Sequence, residues 1–158
     1  MSGDLTVIVF AMGEDRYALP VAMVREILEH RPGFRLPGAP DWLIGLTDVR
    51  GRSLPMADLR RCLGLAAVPP TALTRLLVVE LPGTAAAPFE IGLVVDTVCE
   101  IAVVAADAVE PPPGVGGITG AAGLQAMLRQ EDGLVGLLDL PAVLAAQGAG
   151  AMPSLRAA

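Results

Sequence analysis

The chain has 158 residues, 53% hydrophobic and 18% charged, with 17 acidic against 11 basic side chains and a formal net charge of −6. That length specifies one domain or two very small joined ones, burying roughly 68–70% of the unfolded surface, enough for a core without disulfide or metal staples. The acidic balance excludes nucleic acid and anionic membrane as expected partners, and Cys62 and Cys99, 37 positions apart, form neither a metal-ligand spacing nor a secreted disulfide framework.

Residues 1–10 have no basic segment and no small-residue cleavage site, and no apolar run reaches the ~18–20 residues of a membrane helix. The expectation is a cytoplasmic protein without direct membrane insertion. All 11 basic residues are Arg, with no Lys and no Asn, which we read first as coding bias. Mean hydropathy is high for so few aromatics. Either the core is rich in small aliphatics with scattered apolar surface, or an apolar patch is reserved for a partner.

Thr6–Met12 is a short apolar run rich in β-branched residues, followed by the turn Gly13-Glu14-Asp15 and the alternating Tyr17, Leu19 and Val21. This pattern predicts a hairpin with a longer loop. Val24–Glu29 is ambiguous between helix and strand, and the prolines and glycines from Pro32 to Pro40 rule out regular structure there. Trp42–Val49 and Ser53–Ala57 flank Arg50-Gly51-Arg52 as a second hairpin, its Gly able to take a positive φ. Asp58 reads as the N-cap of a short helix over Leu59–Leu63 that Gly64 stops.

After a linker at 66–72, Leu76–Leu81 and Phe89–Val95 read as strands around a Pro82–Pro88 loop, and Pro111–Gly114 as a rigid turn. Gly120–Met127 and Leu134–Leu138 pair around Glu131-Asp132-Gly133, Asp139 caps a last helix over Leu140–Ala146, and 147–158 reads as a flexible tail. An internal repeat links the halves. Leu19–Ile27 aligns with Leu93–Ile101 at a spacing of 74, with Leu, Val, Val, Glu and Ile in register, and Ile44 with Ile118. Asp58-Leu59 aligns with Asp139-Leu140 at a spacing of 81. The repeat predicts two similar all-β halves, about 5–65 and 73–146, each marginal alone and therefore sharing apolar surface.

Catalytic chemistry is poorly supplied. His30 reads as a loop histidine without a partner, the serines lie at 2, 53 and 154, and both cysteines fall in apolar segments. The Gly114–Gly117 run has no basic residue near it, so no phosphate loop is expected, and neither a cofactor nor a metal is implied. Two charged residues remain open. Arg50 is either a solvated turn residue or a planar, multi-donor contact for a partner, and Glu26 is either solvated or set beside an exposed apolar edge.

The run Phe10–Val21 with Val24-x-Glu26-Ile27 resembles the opening of the CheW family of chemotaxis coupling proteins. So do Leu36-Pro37-x-Ala39-Pro40-x-Trp42-Leu43-Ile44-Gly45-Leu46, the Val49-Arg50-Gly51 hairpin, Leu54-Pro55-x-x-Asp58-Leu59-Arg60, Gly92–Asp96 and Leu137-Leu138-Asp139, in order across residues 5–146. The resemblance implies an all-β fold with short helices, two SH3-like five-stranded β-barrel halves packed around a shared hydrophobic core in a single domain at 5–146. It also implies a non-enzymatic adaptor joining chemoreceptor signalling tips to the regulatory domain of the histidine kinase CheA. By the same resemblance Arg50 and Glu26 carry partner contacts, with Val24 in the receptor strip and Ile27, Gly45, Gly51 and Asp58 as further partner-binding residues. Asp48 stands where the family usually has Asn. A regulatory binding protein of a non-flagellar sensory array is the alternative; a small-ligand sensor is a more distant one.

Overall fold

The computed structural model describes residues 3–81, 89–112 and 123–147. The expected Pro82–Pro88 loop, the second half of the Pro111–Gly114 turn, the Gly114–Gly117 run, Ile118, the start of the Gly120–Met127 strand and all but the first residue of the expected tail lie outside these residues. The strands are β1 (Leu5–Met12), β2 (Asp15–Pro20), β3 (Val24–Glu29), β4 (Leu43–Val49), β5 (Arg52–Asp58), β6 (Arg75–Leu81), β7 (Phe89–Val95), β8 (Thr97–Val104), β9 (Val109–Glu110), β10 (Leu124–Gln130) and β11 (Gly133–Leu138). Two short helices, α1 (Leu59–Cys62) and α2 (Leu140–Ala145), follow β5 and β11. The ambiguous stretch at 24–29 is thus a strand. The first hairpin is tighter than expected: Met12 and Asp15 are register partners across a two-residue loop, with Gly13 at φ 67° in its first position.

The strands form two sheets, one ordered β8-β1-β2-β11-β10-β9 and the other β3-β6-β7-β5-β4. The two orders are the same pattern under the repeat. β3 and β8 are counterparts, as are β5 and β11, and each lies in the sheet founded by the other half's first hairpin. Only β9 is extra, and the isolated pairing of Phe34 with Leu46 takes its place in the five-stranded sheet. This corrects the expectation of contiguous halves. Residues 5–65 and 73–146 do not each close a sheet of their own; they exchange strands reciprocally. Both exchanged contacts recur in kind, with β5 parallel to β7 and β11 parallel to β2.

Three apolar clusters follow from the alternation of side chains along these strands. One fills the six-stranded sheet with Val7, Val9, Ala18, Leu128, Val135 and Leu137. A second fills the five-stranded sheet with Val49, Leu54, Met56, Leu76 and Val78. The third and largest lies between the sheets, where Ile8, Phe10 and Leu19 meet Leu77, Ile91 and Leu93 with both helices. It is the shared core that the repeat requires. Each large aliphatic or aromatic side chain buried there contributes roughly 1.5–3 kcal/mol. The helices are positioned by Asp58, whose Oδ1 accepts from the Arg60 N–H at 3.1 Å, and by Asp139, which accepts from Ala142 at 3.2 Å.

One half-buried ion pair fastens the sheets. Asp96, at the corner between β7 and β8, receives the Arg60 guanidinium at 2.9 and 2.6 Å and the Gly13 N–H at 2.7 Å. The Arg60 hydrogen bonds hold its carboxyl below the usual carboxylate range, the Gly13 bond helps, and burial works against them. A depressed folded pKa means stability that is present above the unfolded value of ~3.9 and lost as pH falls through the folded one. Asp96→Asn should therefore cost about 1.5–3 kcal/mol at pH 7 by chemical denaturation, with the difference from wild type shrinking below about pH 4. A fragment of residues 1–65 should show no cooperative unfolding by circular dichroism, because β1 lacks β8, β2 lacks β11, β3 lacks β6 and β5 lacks β7.

Candidate partner-binding surface

β4 and β5 close through a loop of two residues, Arg50 and Gly51, between the register partners Val49 and Arg52. Both loop residues are left-handed, Arg50 at φ 51° and Gly51 at φ 83°. That is the conformation of a type I′ turn, whose twist matches the strands it joins. Glycine adopts it freely; an arginine there stores on the order of 1 kcal/mol. The Asp48 Oδ1 accepts from the Gly51 N–H at 3.0 Å and braces the turn. An Asn carbonyl would accept the same bond, so Asp48 departs from the family pattern without losing the turn.

The turn projects the Arg50 guanidinium to Glu26 on β3, and the two form an ion pair. β3 and β4 are opposite edges of the five-stranded sheet, so the pair ties the edges of a curled sheet together at one end. Arg25 pairs with Glu80 on β6, and Arg52 with Glu90 on β7 at 2.8 Å. Register places Glu80 directly opposite Glu90, a like-charge contact that is unfavourable alone. Each has its own Arg, and the six charges sum to zero. The Arg50 hydrogen bond holds the Glu26 carboxyl below the usual range, against a smaller opposing effect of burial, with Arg52 and Arg25 adding to the depression.

Of the residues singled out from the sequence, the structure brings together Arg50, Gly51 and Glu26, with Ile27 next to Glu26 and 42% exposed. The Arg50 side chain is 63% exposed although paired. An exposed ion pair is worth about 0–1 kcal/mol, so a partner can open it at small cost. Val24 is half-buried against the shared core. Two residues take other places. Asp58 caps α1, and Gly45 is buried where the 32–36 segment crosses β4. A Cβ on Gly45 would lie 2.0 Å from the Phe34 carbonyl oxygen, at φ 152°. Both positions have a structural role of their own.

Sequence reasoning missed Arg25, Glu80 and Glu90, and read Arg52 only as part of the turn. Glu80 and Glu90 interrupt apolar strands, but nothing in their spacing shows that they face each other. Cys62 is buried, which pushes its thiol up to about 12, while Cys99 is exposed on β8. Among the described residues no three His, Cys, Asp or Glu side chains converge as a metal site requires, and no helix is long and apolar enough to cross a membrane.

The family model described as CheW-like domain matches residues 6–148. The chain is 30% identical over 138 residues to the chemotaxis protein CheW of Bacillus subtilis (strain 168), covering 87% of this chain and 85% of that protein. It is 42% identical over 72 residues to Protein PilI of Pseudomonas aeruginosa, covering 45% of this chain and 40% of that one. Among solved structures, the scaffolding protein TtCheW from Thermoanaerobacter tengcongensis superposes with a TM-score of 0.75 at 25% identity, over 85% of this chain and 88% of that one.

Gly45→Ala tests the structural placement of that residue. It should cost at least about 3 kcal/mol by thermal or chemical denaturation, since the added methyl meets backbone that cannot swing aside. A variant as stable as wild type would return Gly45 to the accessible surface.

Proposed function

The chain belongs to the CheW-like domain family, and we propose that within it this protein couples the cytoplasmic signalling tips of chemoreceptors to the regulatory domain of the histidine kinase CheA. It works by binding rather than by catalysis, in the cytoplasm, at receptor arrays on the inner face of the membrane. The observation that carries the reading is the Arg50–Glu26 pair. The two residues that the family resemblance singles out lie on different elements at opposite sheet edges, yet meet at one exposed end. A planar, multi-donor guanidinium held at an exposed turn suits an interface anchor. The left-handed Arg50 adds support, because such strain persists where function keeps it.

The second reading is the same adaptor role in a sensory array with a non-flagellar output. The identity with Protein PilI, a relative not named for chemotaxis, favours it over part of the chain. Identifying the kinase that co-purifies with the protein from its own cells separates the two.

Arg50→Ala should weaken binding to the receptor tip or the kinase regulatory domain by at least ~2 kcal/mol, roughly thirtyfold. Its stability should move by about 0.5 kcal/mol or less, since the pair lost is an exposed one and the alanine keeps the same left-handed turn. Arg50→Lys should rescue only partly, because an ammonium keeps the charge without the planar fork. Arg52 is a poor control, being paired inside the same cluster. Arg129→Ala, which removes an equally exposed pair with Glu110 on the other sheet, is the better one and should leave binding unchanged. Wild-type affinity of Arg50→Ala for both partners would refute the assignment.

A further inference from the structure

A cleft of about 480 Å³ lies away from the Arg50–Glu26 cluster, between the 30–41 segment, the start of β4 and α1. Leu36, Ala39 and Ile44 contribute partly exposed apolar surface, and His30, Arg31, Arg35 and Arg61 line it with two carboxylates, Asp41 and Asp58. Seven of the ten arginines among the described residues have a carboxylate oxygen within 4.0 Å. Of the remaining three, Arg31, Arg35 and Arg75, two line this cleft. Arg31 gives one N–H to the Asp48 carbonyl at 3.2 Å, and Arg35 has no hydrogen-bond partner among the described residues. Arg61 reaches Asp41 only at 3.5 Å, and that carboxylate is 87% exposed, too long and too wet for a strong charge-assisted bond. Asp58 is engaged by the α1 backbone. In a chain of net charge −6, guanidinium donors without strong partners are therefore concentrated in one concave place.

The cleft is also held in shape. Phe34 and Leu46 exchange two backbone hydrogen bonds, of 2.7 and 2.9 Å, which fasten the 32–36 segment to β4. Pro32, Pro37 and Pro40 restrict φ along the same segment. We propose that this cleft binds a small organic anion, its phosphate or carboxylate held by Arg35 and Arg61 and its apolar body resting on Leu36, Ala39 and Ile44. Its volume lies within the range of ligand pockets and suits a molecule of nucleoside-monophosphate size better than an extended acidic peptide. The site stands whether or not the adaptor reading holds, since it shares no residue with the Arg50 cluster.

The test is a titration of the uniformly labelled full chain by amide NMR, with adenosine 5′-monophosphate, inorganic phosphate, citrate and adenosine as probes. We expect saturable shifts confined to the 30–44 and 56–61 backbone with the monophosphate, at a Kd on the order of 1 mM or below, and at least about tenfold weaker binding of adenosine. Phosphate and citrate report whether the Arg pair prefers a phosphoryl or a carboxylate group. Arg35→Gln and Arg61→Gln should each weaken the monophosphate at least about tenfold, while Arg75→Gln leaves it unchanged. Arg35 makes no internal contact through its donors, so its variant should keep the wild-type melting curve. Four outcomes overturn the proposal: no saturable shift with any anion up to about 10 mM, equal binding of adenosine, an unaltered Kd in Arg35→Gln, or shifts from a tetraglutamate peptide alone.

Discussion

β3 and β8 leave the halves that encode them and complete each other's sheets, and every other feature of the molecule depends on that exchange. Because β5 and β11 cross in the same way, neither first hairpin has both neighbours until the other half is in place. The apolar cluster between the sheets is then a necessity rather than an addition: it is where the inner faces of β1 and β6, the two hairpins' leading strands, are turned against each other. The Arg60–Asp96 pair sits at this seam and joins α1, the first hairpin and the β7–β8 corner. A local change at the seam is felt by both sheets. The protein is consequently one cooperative unit with an internal near-symmetry, not two modules on a linker.

The exposed end of the five-stranded sheet shows how charge is arranged on such a frame. Glu80 faces Glu90 across the ladder, an arrangement that would weaken the sheet if it stood alone. Arg25 and Arg52 offset it, and Arg50 with Glu26 closes the set across the gap between the two sheet edges. The result is a neutral but highly polar end. Its charges are exchangeable: an incoming carboxylate can replace Glu26 at Arg50 without leaving a buried ion behind, which keeps the cost of rearrangement low.

Most of the strand inventory was legible because period-two patterns and turn residues agree in this chain. The hairpins at 12–15, 49–52 and 130–133, both helix caps and the internal repeat could all be read from residue types alone. Partner choice between strands could not. The repeat states that 19–27 and 93–101 are alike; it is silent on whether each pairs at home or away, since both arrangements bury the same residues. β8 shows a second limit, because exposure of Cys99, Glu100 and Ile101 in succession blurs its alternation. At the candidate site, the family motifs single out Arg50 and Glu26, which form an ion pair, and also Gly45 and Asp58, which sit at a backbone crossing and a helix cap. A buried glycine and a helix cap are kept in a motif by backbone geometry, and a motif does not distinguish that reason from binding.

The reciprocal strand exchange also governs how the chain is made. During synthesis β1 and β2 emerge first, but β11, which pairs with β2, follows roughly 110 residues later. At about 5–20 residues per second that is an interval on the order of ten seconds. Until β8 is made the hairpin presents an unpaired edge on each side and the apolar face of Ile8 and Phe10 to water, and the β2 edge stays open until β11 follows. The nascent protein is thus at its most aggregation-prone early in translation, long before its last strand can cover it. A fold that gains cooperativity by interleaving its halves makes its first half dependent on whatever shields a growing chain at the ribosome.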